Sequence, residues 1–123
     1  MKKLLLALLP LAALSLACAQ TPAAPAKVDA SAPIEKNDAT GKFQWMHKSF
    51  LARARQPMDI LFLGDSITEG WNKAPHVFDR YYGLHRPANF GIGGDQTHHV
   101  IWRIENGELD GVKPKVVVLM LGT

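Results

Sequence analysis

The chain has 123 residues, enough for one modest domain, with 14 Lys and Arg against 11 Asp and Glu. Without Lys2 and Lys3, which belong to a removable N-terminal segment, 12 basic side chains face 11 acidic ones, and this balance gives no ground for a nucleic-acid partner. Cys18 is the only cysteine and falls in the same segment, so the mature chain is expected to have no disulfide and no thiol metal site.

Met1-Lys2-Lys3 is a short basic start, and Leu4 to Leu16 is an apolar stretch of mostly Leu and Ala, interrupted by Pro10. Ala17-Cys18-Ala19 follows as a small-residue cleavage site. The pattern over 1–19 predicts a secretory signal peptide, too short and wrongly flanked for a spanning helix. Leu14-Ser15-Leu16-Ala17-Cys18 also resembles a bacterial lipoprotein signal, which would anchor the chain to a membrane through Cys18. Ser15 stands where such signals carry a large aliphatic residue, which favours soluble export, periplasmic or extracellular. Residues 20–40 are Ala, Pro, Thr, Ser, Lys and Asp with almost nothing to bury, and read as a flexible tether.

Phe43, Met46, Phe50 and Leu51 fall at helical spacing, and the helix they predict ends before Pro57. Asp59 to Leu63 is a short apolar run suited to a strand of a parallel sheet. Pro75 to Tyr82 predicts a short helix and Ala88 to Phe90 a second strand. Asp95 or Thr97 is expected to cap a helix running to about Leu109, and Lys115 to Leu121 is the clearest buried strand. Helices alternating with buried strands imply an α/β fold, a parallel sheet with helices on both faces, and a site at the carboxyl ends of the strands.

All three predicted strands end in glycine-bearing turns: Gly64-Asp65-Ser66, Gly91-Ile92-Gly93-Gly94 and Gly122-Thr123. Ser66 falls at a strand-to-helix junction, near backbone N–H groups that favour the negative charge of acyl transfer. The plainer reading is that Asp65 or Ser66 only caps the next helix. The motif is not the nucleophile elbow of α/β-hydrolases, because Thr68 stands where a second glycine is needed. The cluster Gly91 to Gly94 departs from the dinucleotide fingerprint at Gln96, and Asp95 would repel a phosphate. This argues against a phosphate-binding flavodoxin-like module. A backbone N–H of Gly94 aimed at an oxyanion is the better use, against the alternative that glycine serves only a positive φ or close packing. His98 and His99 are adjacent on a helix and expected to point about 100° apart, so no metal site is expected there. His47, His76 and His85 show no ligand spacing, and Trp71, Tyr81, Tyr82 and Trp102 are expected in core and rim positions rather than lining a sugar pocket.

Phe62-Leu63-Gly64-Asp65-Ser66-Ile67-Thr68 resembles the first conserved block of the GDSL/SGNH hydrolases, and Asn89-Phe90-Gly91-Ile92-Gly93-Gly94-Asp95 resembles the second. The run from Asn106 to Gly122-Thr123 leads into the third. Within the family the likeness is to platelet-activating factor acetylhydrolase catalytic subunits and their bacterial relatives. The resemblance implies a three-layer flavodoxin-like SGNH fold, of which 41–123 is the N-terminal portion. It implies Ser66 as nucleophile, the backbone N–H groups of Ser66 and Gly94 as oxyanion donors, Asp65 and Asp95 in support, and no cofactor. It implies a small ester as substrate, a lipid or an acetylated sugar, hydrolysed through an acyl-serine intermediate. The third oxyanion donor, an asparagine, and the catalytic Asp-x-x-His block are expected after Thr123. Asp95-Gln96-Thr97-His98 spells that pattern inside the second block, where it is read as coincidence. The chain by itself is therefore expected to be marginally folded and inactive, and the intact parent active. The rival reading is a non-catalytic exported binding protein that retains the fold.

Overall fold

The computed structural model describes Lys27 and residues 29–122. The expected signal segment, Cys18 and the first part of the expected tether lie outside the described residues.

Phe43, Met46 and Phe50 form the buried stripe of α1, Lys42–Ala54. Gly41 at its start has no side chain to cap with, and the Asp38 carboxylate accepts the Phe43 N–H at 3.0 Å instead. The strands are β1 (Ile60–Gly64), β2 (Pro87–Gly91) and β3 (Val116–Met120), within a residue or so of the expected bounds. They pair in parallel in the order β2-β1-β3, and the register sets Gly64 opposite both Gly91 and Met120. Between them lie α2 (Ser66–Glu69), which continues as a 3-10 turn over Gly70–Lys73, then α3 (Pro75–Tyr82) and α4 (Thr97–Arg103).

Alternate residues of β1 point to opposite sides of the sheet. Leu61 and Leu63 join Phe43, Phe50, Phe90 and Val100 in the core, where the Phe50 and Phe90 rings stack at 4.5 Å. Phe62 faces the other way, against Phe78 and Tyr82 at 5.1 and 4.9 Å. The sheet thus carries helices on both faces, the α/β layering expected from the sequence.

Four features differ in detail from the sequence reading. The residue at the cap position before α4 is Gln96, not Asp95 or Thr97: Thr97 is the first helical residue, and the Asp95 carboxylate is committed to Lys36 and Arg103. Beyond Arg103 the helix widens into a π turn over Ile104–Glu108, which turns the buried Glu108 inward. All five β3 side chains are exposed, although the run is the most apolar of the three, because no described helix packs extensively on this edge of the sheet, whereas α2 lies against the other edge strand, β2. The later part of the expected tether makes defined contacts: Ile34 N–H donates to the His98 carbonyl at 3.2 Å, and Lys36 reaches the loop after β2.

Candidate active site

Glycine at the ends of β1 and β2 lets the chain pack where no side chain would fit. A Cβ at Gly91 would run into the backbone of Thr68 and Glu69, and one at Gly64 into the Met120 carbonyl and the Thr68 hydroxyl. These absences let α2 lie directly against the strand ends. The turn is fixed by Asp65, which is buried, accepts the Ile67 N–H at 3.0 Å, and donates its own N–H to the Met120 carbonyl at 3.4 Å. Asp65 thus caps the helix, as the plainer reading held, and leaves Ser66 as the first residue of α2, exposed at the carboxyl end of the sheet.

The loop after β2 closes on the same spot. A methyl group on Gly93 would sit 3.7 Å from Ser66 Cβ. Glu69 Oε2 accepts the Gly93 N–H at 2.5 Å, and Glu69 Oε1 pairs with Lys42 Nζ at 2.6 Å. Gly94 adopts φ of +73°, a region glycine enters without penalty. The Asp95 N–H turns back to the Ile92 carbonyl, while the Gly94 N–H has no partner among the described residues. The fold therefore brings Ser66 and the Gly93-Gly94 loop together beside a pocket of about 240 Å³ lined by Lys42, Ser66, Glu69 and Lys73.

Behind the loop lies a buried ionic cluster that the sequence reading did not single out. Arg103 is fully buried; Nη1 and Nη2 both donate to the Phe90 carbonyl at 3.1 Å. Its Nε lies 3.2 Å from Asp95 Oδ2 and its Nη1 3.6 Å from Glu108 Oε2, while Glu108 Oε1 meets His47 Nδ1 at 2.8 Å. Burial pushes the Asp95 and Glu108 carboxyls up, opposed first in each case by the Arg103 charge. A sequence signal existed for Arg103, which follows the buried Val100 by three positions and so puts a charge on the packed face of α4, but not for Glu108, which lies past the non-helical Asn106 and Gly107. Asp95 thus supports the loop from beneath. Asp95 and His98 make no hydrogen bond to Ser66; His98 Nε2 is instead 3.0 Å from His99 Nε2.

That contact corrects the expectation that the two imidazoles diverge. His99 Nδ1 accepts the Gln96 N–H at 3.0 Å, which pulls the ring back over the helix start and against His98. No group of three or more metal-ligating side chains occurs among the described residues. Trp71 packs against Phe78 and Tyr82, and Trp102 against Phe43 and His47, while Tyr81 is mostly exposed.

A parallel sheet with an exposed serine at one strand end and a glycine loop pressed against it from the next defines an α/β protein of the SGNH layout. The chain belongs to the GDSL-like Lipase/Acylhydrolase family, whose pattern matches residues 62–123. It is 40% identical over 97 residues to platelet-activating factor acetylhydrolase IB subunit alpha1 of Rattus norvegicus, covering 76% of this chain and 41% of that protein. To the Homo sapiens alpha1 subunit it is likewise 40% identical over 97 residues, and to the Homo sapiens alpha2 subunit 41% over 98, each match covering 76% of this chain and 42% of the relative. The chain spans about two-fifths of the length of these curated relatives.

Proposed function

We propose that the intact protein carrying this chain is a serine ester hydrolase in which Ser66 is the nucleophile. The observation that carries the reading is the approach of the Gly93-Gly94 loop to Ser66, with the Gly94 N–H free of any partner among the described residues. Ser66 Oγ attacks the ester carbonyl, and the charge that develops on its oxygen is received by the Ser66 and Gly94 N–H groups. The alcohol leaves, and water releases the acid from the acyl-serine. A serine hydroxyl needs a base to accept its proton, and Ser66 Oγ has no hydrogen-bond partner among the described residues. The base and a third oxyanion donor belong, in this reading, to the polypeptide that follows.

The relatives are named as acetylhydrolases, which favours short acyl esters, on a lipid or a sugar. The basic, apolar, small-residue pattern over 1–19 extends the proposal to export and to substrates outside the cytoplasm. The test uses the full-length protein and p-nitrophenyl acetate. Ser66→Ala is expected to abolish turnover, and a fluorophosphonate to label Ser66 in the wild type alone. Turnover that survives Ser66→Ala at the wild-type rate sinks the reading.

A further inference from the structure

The stretch before α1, which by composition is a tether, places one charge against the site. Lys36 Nζ donates to the Gly93 carbonyl at 2.6 Å and lies 3.4 Å from Asp95 Oδ1. Its side chain is only 19% exposed, and that of Asp95 is fully buried against Arg103. A Cβ at Gly94 would come within 3.2 Å of the ammonium, so Lys36 lies directly over this residue.

The Gly93 carbonyl and the Gly94 N–H belong to one peptide unit. The peptide is planar and trans, so the two groups point in opposite directions. A cation on the carbonyl oxygen therefore fixes where the N–H is aimed, away from Lys36. It also draws electron density through the amide and strengthens that N–H as a donor, since a charge-assisted hydrogen bond polarises the group it binds. On the preceding unit, Glu69 holds the Gly93 N–H. Gly93 is thus clamped at both its backbone groups, and the Gly94 N–H is the one left unpartnered among the described residues.

We propose that Lys36 is a positioning residue: its ammonium orients and polarises the Gly93-Gly94 peptide so that the Gly94 N–H is set to receive an oxyanion. The inference rests on the ester-hydrolase reading above. It makes the segment before the first helix part of the active site's support.

The test compares wild type, Lys36→Met, Lys36→Arg and Ser66→Ala in the full-length protein, reading kcat, KM and Tm with p-nitrophenyl acetate. The donor acts on developing charge, so Lys36→Met is expected to lower kcat about tenfold and leave KM within about twofold. Tm is expected to hold, and Lys36→Arg to restore most of kcat. Fluorophosphonate labelling of Ser66 is expected to slow in parallel with kcat. Wild-type kcat in Lys36→Met, a loss that appears in KM or follows Tm, or no rescue by arginine overturns the proposal. If Lys36→Met is intact and Ser66→Ala is inactive, only the role of Lys36 fails. If Ser66→Ala turns over like the wild type, the hydrolase reading fails and this inference with it.

Discussion

The Glu69 carboxylate bridges two parts of the site: its Oε2 takes the Gly93 N–H at 2.5 Å and its Oε1 takes Lys42 Nζ at 2.6 Å. One side chain therefore ties the helix that begins with Ser66 to the loop that carries Gly94. Displacing reacting groups by fractions of an ångström is costly, so Glu69→Ala in the full-length protein is expected to lower kcat on a short ester about tenfold. Glu69→Gln, which keeps an amide oxygen for the Gly93 N–H, is expected to lose less. Steady-state kinetics separates the two, and equal losses would assign the effect to the Lys42 charge pair rather than to the loop.

Arg103 is the buried cation on which Asp95 and Glu108 both depend. Removing it leaves Asp95 with Lys36 and Glu108 with His47 as their remaining partners, and takes two donors from the Phe90 carbonyl. Breaking a buried pair by deleting one partner costs about 3–5 kcal/mol, and Arg103→Met is expected to fall in that range. Urea unfolding of the full-length protein measures it; a loss under about 1 kcal/mol would mean that water reaches the cluster and solvates both acids.

His99 gives the stability a pH dependence of known sign. Burial, reinforced by the His98, Lys36 and Arg103 charges, lowers its imidazole from 6.5 to about 4. The unfolded chain takes up this proton near pH 6.5, while the folded chain holds it off until about pH 4. The contribution of a neutral His99 is complete above the upper value and is lost as the pH falls toward the lower one. Thermal midpoints of the wild type are expected to fall more steeply across this window than those of His99→Asn, which keeps an acceptor for the Gln96 N–H. Parallel slopes would show that His99 is not the group responsible.

The sequence by itself determined the class of fold and the points where chemistry could sit. Short apolar runs that stop at glycine, separated by segments of helical period, leave little choice but a parallel sheet with covered faces. The glycines at 64 and 91 were legible as turns. The structure adds why nothing larger fits: the backbone of α2 occupies the space of a side chain. Ser66 and Gly94 were legible as candidates because both fall in local motifs at the strand ends.

Tertiary structure alone decided what holds those two residues together. Glu69 and Gly93 are 24 positions apart and Lys36 and Gly93 are 57 apart, and no local pattern announces such pairs. A lysine in a stretch of Ala, Pro and Asp has the composition of a solvated tether. It became a part-buried contact only because the fold set the Gly93 carbonyl and the Asp95 carboxylate within its reach. Composition records what a segment could bury by itself, whereas an ion pair or a hydrogen bond depends on what a distant part of the chain presents to it.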